Sequence, residues 1–474
     1  MKYFWITRLI RGGCFNHISN MMLSTGRRHS SGSVRRYSVT PLIKAEPIRG
    51  LVDDPIKLEV VHLVPNQPVT LYSRLQSEDS DWWEAYAHYV SDSEGIVRVT
   101  RDKSLGGTYT GQEPMGLIWS MKPVPGSRPG IRLRKKDVTV PFLVTLSVYD
   151  GCIASDFDKE TAVALIVLER FYMAPGITRL ELNEGRVIGT MFFPPGPGPF
   201  PAVVDMWGGG GGLVEYRAAL LASRGFATLA LAYMGHTRVP ESYQTFDPKL
   251  PYFEDAFSTL NNHPQVAKGR VAVLGLSFGF TLALLMATEI PSIHPKCLIC
   301  ISGIHYNLLK ETKFDMVDVL DVFSKDMSKV KFTEDGAMIW RDISLPFSDD
   351  PKKLVKVDKV KCPMMLISGE DDQNWPTLEA AFEIQKLMKA AGNDHLLTIL
   401  SYPQTGHLIE PPYSPHCRQS KFRLHSKKRT VNVLWGGEAK PHADAQEDSW
   451  KKILAFLEKH LELQHPTAIV QSKM

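Results

Sequence analysis

The sequence predicts two parts in series, an all-β half followed by a half in which strands alternate with helices. Three observations predict it. Short alternating apolar runs recur between turn residues from Ile56 to Leu168. From Phe171 onward each strand-like run is followed by a helical one. Within that second half, a serine stands between two glycines at a strand-to-helix junction. The first pattern is that of an immunoglobulin-like β-sandwich, and the second that of a mostly parallel, doubly wound sheet covered on both faces.

The N-terminus comes first. No Asp or Glu precedes Glu46, whereas Lys2, Arg8, Arg11, Arg27, Arg28, Arg35, Arg36 and Lys44 all do. Residues 1–45 therefore read as a mitochondrial transit peptide, with a protease-like site before Ser38. At the other end a short tail, 466–474, closes on Ser472-Lys473-Met474, which is close to the peroxisomal Ser-Lys-Leu tripeptide. The mitochondrial matrix is the expected address because a presequence emerges first, and the peroxisome is the alternative. A formal net charge of +4 over 474 residues argues for no nucleic-acid partner. No stretch reaches transmembrane length, so no integral membrane segment is expected.

Residues 46–170 supply the β-sandwich, with strands expected at Ile56–Val60, Val69–Tyr72, Trp83–Val90, Gly95–Val99, Val138–Val140, Phe142–Val148 and Ala162–Leu168. This half carries no catalytic constellation, and its expected role is to cover or shape the mouth of the other. The boundary falls at Met173–Thr178, and residues 171–465 form the catalytic domain.

In that domain, Pro201–Met206 reads as a strand and is followed by Trp207 and the five glycines Gly208 to Gly212, then by a helical run from Val214 to Ala222. A phosphate loop would close on Gly-Lys-Ser/Thr, but Leu213-Val214 stands there. The glycines instead suit an oxyanion hole. Next comes Gly275-Leu276-Ser277-Phe278-Gly279, between the strand-like Arg270–Leu274 and the helical Phe280–Ala287. This is a nucleophile elbow, and the domain is predicted as an α/β-hydrolase. Phe278 is expected to give one backbone amide to an oxyanion and Gly208, Gly209 or Gly210 another.

The acid and the base of such a site follow in later loops, in that order. The strand-like Lys361–Ser368 runs into Gly369-Glu370-Asp371-Asp372, and His395–Leu400 is followed by Gln404-Thr405-Gly406-His407. Asp372 is preferred as the fourth residue of Gly-x-x-Asp, with Asp371 the neighbouring alternative. Ser277, Asp372 and His407 are thus the expected catalytic residues. The cysteines are scattered, and Cys297-Leu-Ile-Cys300 lies in a strand that sends alternate side chains to opposite faces. Reduced thiols, no metal site and no cofactor are expected.

Leu105–Trp119, Gly210–Arg217, the elbow, Asp371–Trp375, Gly406–Tyr413 and Leu434–Glu438 occur in an order that resembles the family containing the type I acyl-CoA thioesterases and the bile acid-CoA:amino acid N-acyltransferase. The resemblance spans everything after the presequence. It implies hydrolysis of fatty acyl-CoA to free fatty acid and CoA by the same Ser277, Asp372 and His407. One departure stands out, since family elbows usually carry Lys where this chain has Phe278. The family's transferases generally carry Cys as nucleophile, and a serine ester favours water over an amine. Acyl transfer to glycine or taurine is therefore the alternative activity, followed by a general carboxylesterase and a non-catalytic binding protein. Acyl-CoA is the expected partner of a monomer or weak homo-oligomer. Arg418, Lys421, Arg423, Lys427, Lys428 and Arg429 are candidates for its phosphates, with a solvated loop as the other reading. Trp207, Tyr233 and Met234 are candidates for the acyl lining, with core packing as theirs.

Overall fold

The structure is a computed structural model that describes residues 40–182, 185–239, 250–307, 327–424 and 429–463. Residues 1–39 of the stretch read as a presequence, with Cys14, and also Lys427, Lys428 and the Ser472-Lys473-Met474 tail lie outside the described residues. Residues Thr40–Met474 form one compact unit.

Its first part holds ten strands: β1 (Leu42–Glu46), β2 (Arg49–Leu51), β3 (Lys57–Val61), β4 (Pro68–Gln76), β5 (Trp82–Val90), β6 (Val97–Arg98), β7 (Gly106–Gly107), β8 (Lys122–Pro123), β9 (Phe142–Asp150) and β10 (Ala164–Phe171). β1, β3 and β6 make one antiparallel sheet. A larger sheet runs β2-β10-β9-β4-β5-β7, with β8 also on β5. The alternation in β5 does what its pattern predicts, turning Trp83, Ala85, Ala87 and Tyr89 inward. Ile43, Leu58 and Val60 of the small sheet meet Leu71, Leu146 and Val148 of the large one. Two expectations change here. Val138–Val140 is a turn with Val138 buried beneath it, not a strand. And β1, with four of its five residues inside the stretch read as presequence to residue 45, pairs along its whole length with β3, so removing that stretch would strip an edge from the small sheet.

The second part contains β11 (Thr178–Leu182), β12 (Ile188–Phe193), β13 (Phe200–Met206), β14 (Ala227–Ala232), β15 (Val266–Leu276), β16 (Leu298–Ile301), β17 (Lys331–Phe332), β18 (Met338–Ile339), β19 (Met364–Gly369), β20 (Leu397–Tyr402), β21 (Gln419–Leu424) and β22 (Arg429–Leu434). Eight of these form a sheet in the order β11-β12-β14-β13-β15-β16-β19-β20. The first two pairings are antiparallel and all the others parallel. With helices on both faces and the serine turn after β15, this is the α/β-hydrolase fold. The central strands β13, β15, β16 and β19 are mostly apolar because both faces are covered. Val203 and Leu274 face a layer built by the helices Tyr216–Ser223 and Ala439–Leu461. Ala202, Val204 and Val273 face the helices Leu250–Asn261, Phe278–Glu289 and Thr377–Ala391. β17, β18, β22 and β21 form a small separate sheet. Among the described residues no helix is long and apolar enough to cross a membrane.

Candidate active site

Ser277 sits at the turn between β15 and the helix Phe278–Glu289, with φ 58° and ψ −119°. A non-glycine residue at positive φ is strained, and such strain persists only where the surroundings hold it. Here they do. The Ser277 amide donates to Ile301 O of β16 at 2.8 Å. A Cβ on Gly275 would stand 2.0 Å from Gly279 O, and one on Gly279 would stand 2.7 Å from Met206 O. Gly303, which the motif does not include, closes the same knot, for a Cβ there would meet Phe280 Cβ at 2.4 Å.

The glycine run reaches this serine. A Cβ on Gly208 would lie 2.8 Å from Ser277 Cβ and 3.1 Å from its Oγ. Further on, Gly211 and Gly212 adopt φ of 64° and 85°, conformations that favour glycine. The loop is anchored from below by a buried pair that sequence reading missed. Arg217 Nε donates to Asp205 Oδ1 at 2.7 Å and its Nη2 to Met206 O at 3.0 Å, while the Trp207 indole donates to Asp205 Oδ2 at 3.2 Å. The guanidinium also lies over the Trp207 ring at 4.3 Å. The available signal was a lone acid in an apolar strand and a lone base in an apolar helix.

Asp372 and His407 meet as expected. His407 Nδ1 donates to Asp372 Oδ2 at 2.8 Å, and both side chains are 1% exposed. Asp372 Oδ1 accepts from the amides of Asn374 and Trp375 at 2.8 and 2.9 Å. Asp371 faces elsewhere, accepting from the Gln373 side chain at 2.6 Å and from the Gly437 amide at 2.7 Å. The Leu434–Glu438 motif thereby acquires a structural part: Trp435 stacks on the His407 ring at 5.5 Å and 16°, and its carbonyl accepts the His407 amide at 2.9 Å.

Ser277, His407, Phe278 and Gly208 to Gly211 line one cavity of about 330 Å³. Among the hydrogen bonds of the described residues, none joins the Ser277 hydroxyl to His407. Bonds of this kind commonly tighten only when substrate is held. The β-rich part contributes the segment Arg128 to Arg134 to the cavity wall, tied down where Lys421 N donates to Gly130 O at 3.0 Å. Arg132 from this segment pairs with Glu410, three residues past His407, and Tyr216 donates to the same carboxylate at 3.1 Å.

Other candidates separate. Of the three proposed acyl-lining residues, only Trp207 borders the cavity; Tyr233 and Met234 are packed in the core. Lys421 and Arg423 border it too, whereas Arg418 is engaged with Asp371, Glu438 and Gly437 O. The described cysteines are all free, with Cys297, Cys300 and Cys362 buried.

The profile described as the acyl-CoA thioester hydrolase/BAAT N-terminal region matches residues 53–184, and the corresponding C-terminal profile matches 249–463. Acyl-coenzyme A thioesterase 3 of Mus musculus is 40% identical over 90% of this chain and 95% of its own length. The chain belongs to the acyl-CoA thioester hydrolase/BAAT family. Human acyl-coenzyme A thioesterase 2, mitochondrial, is 39% identical over 86% of this chain and 82% of its own length. The mouse peroxisomal succinyl-coenzyme A thioesterase is 38% identical over 90% and 98%. A Mycobacterium tuberculosis puromycin-hydrolysing peptidase superposes with a TM-score of 0.43 at 14% identity, covering 82% of this chain and 54% of that one, too distant to add to the strand order. Phe278 is buried with its ring 6.1 Å from that of Tyr233.

Proposed function

We propose that this protein hydrolyses fatty acyl-CoA thioesters through an acyl-Ser277 intermediate. The observation that carries the proposal is the buried Asp372–His407 pair opening on the same cavity as Ser277 and Gly208. With Nδ1–H held by the Asp372 side chain, His407 keeps Nε2 free to take the Ser277 proton as the hydroxyl attacks the thioester carbonyl. The amide of Phe278 and one from Gly208 to Gly210 receive the oxyanion, CoA leaves as the thiol, and water activated by His407 releases the fatty acid. The names of its relatives support acyl-CoA as substrate. The serine favours water over glycine or taurine as the final acceptor.

In this reading the β-rich part is a sandwich of immunoglobulin-like kind that walls the cavity. Arg134, Lys421 and Arg423, exposed on the rim, face the CoA phosphates. The test is an assay of the protein against acyl-CoAs of graded length, with and without taurine. Free acid is the expected product in both, and a taurine conjugate as main product would overturn the hydrolase. Replacing Lys421 and Arg423 together by Ala is expected to raise KM about tenfold with kcat little changed, at up to ~1 kcal/mol for each exposed charge. An unchanged KM dismisses the rim. For the address, the presequence favours mitochondria. A reporter fused to residues 1–45 that stayed in the cytosol would remove that assignment.

A further inference from the structure

His442 is a buried titratable group that this chemistry does not use. It lies in the first turn of the helix Ala439–Leu461 and is 1% exposed. Both ring nitrogens are engaged, and both partners belong to the backbone beside His407. The Gly406 amide donates to Nδ1 at 3.2 Å, and Nε2 bonds Leu408 O at 2.8 Å. An amide only donates and a carbonyl only accepts, so the tautomer follows: Nδ1 bears the lone pair and Nε2 the proton.

We infer that His442 is a positioning residue for the catalytic base, clasping the peptide groups on either side of His407 so that the imidazole keeps its place between Asp372 and Ser277. This rests on His407 being that base.

Three further features fit. Protonated His442 would lose its acceptor for Gly406, and burial, with His416 beside it, pushes its pKa down to about 3, which keeps it neutral. The neighbouring ring of His416, 4.7 Å away, bonds Gly436 O at 3.0 Å and steadies the segment that carries Trp435. Gly437 leaves room for both rings, since a Cβ there would stand 3.0 Å from His416 Nε2 and 3.1 Å from His442 Nδ1. His407 is thus held on every side: its ring by Asp372 and Trp435, its own amide by Trp435 O, and its neighbours by one imidazole.

The test uses the full chain with His442→Leu, His442→Asn and His442→Gln, and two readouts. One is kcat and KM for an acyl-CoA. The other is the rate at which a fluorophosphonate labels Ser277, which needs the base but no acyl-CoA. His442→Leu is expected to lower kcat and the labelling rate about a hundredfold, with KM within about threefold, because small misplacements of a catalytic group carry that cost. Asn keeps an acceptor near the Nδ1 position and Gln a donor near Nε2, so each is expected to recover part of the loss. If the Leu variant does not fold, the Asn and Gln variants decide. Folded variants that label and turn over like the wild type would overturn the inference. A wild type that is labelled at Ser277 yet leaves acyl-CoA intact would instead overturn the thioesterase reading, and the labelling rates would still judge the clasp.

Discussion

Asp372→Asn is expected to lower kcat about ten-thousandfold with little change in KM, while Asp371→Asn stays within a few-fold of wild type. The two carboxylates are adjacent in sequence, yet their partners divide the work. Asp372 Oδ2 holds His407 Nδ1 at 2.8 Å, and an amide side chain there would donate to that nitrogen and turn the ring to the wrong tautomer. Nε2 would then carry the proton, and the histidine would lose its ability to accept one from Ser277. Asp371 binds the Gly437 amide at 2.7 Å and Gln373, so its loss loosens a turn without touching the imidazole. Steady-state kinetics on the two variants checks this. A reversed ranking would move the acid to Asp371.

The second large effect is on stability. Arg217→Met is expected to destabilise the fold by about 3–5 kcal/mol, because it leaves Asp205 buried without its partner. Asp205 is 0% exposed, and the same guanidinium also braces Trp207 at the head of the glycine loop. Burial pushes the Asp205 carboxyl up, opposed by Arg217, so removing the arginine raises it further. A carboxyl whose folded pKa exceeds its unfolded value makes the folded state bind more protons, and stability then falls as pH rises through that window. The deficit of Arg217→Met should therefore be larger at neutral pH than near pH 4. Adding Asp205→Val should recover much of it, since an apolar pair of suitable size avoids the buried charge. Urea unfolding at both pH values measures this, and a pH-independent loss would contradict it.

Much of this arrangement was legible in the residues, for reasons that differ by element. The strands β13, β15, β16 and β19 announced themselves by runs of apolar residues, as strands covered on both faces require. The elbow was legible because only glycine fits at 275 and 279. In the β-rich part the two-residue strands β7 and β8 are too short to carry any period, and Val138 is buried from a turn, so its apolar character imitated a strand. Asp371 and Asp372 share one loop, and the bonds that distinguish them come from Gly437 and His407, remote in sequence. Arg217, Trp435 and His442 went unassigned for the same reason: each acts on a partner that only the folded chain brings near. Arg217 and Trp435 at least lay in motifs, Gly210–Arg217 and Leu434–Glu438, whose recurrence had no stated cause.

The measurement that tests the central claim most directly is acid quenching of the protein during turnover of an acyl-CoA, followed by mass spectrometry of its peptides. The account predicts the acyl mass on the peptide that contains Ser277, its disappearance in Ser277→Ala, and a fall in turnover of at least about ten-thousandfold in that variant. An acyl group found on another residue, or a Ser277→Ala protein that still cleaves the thioester at the wild-type rate, would contradict it.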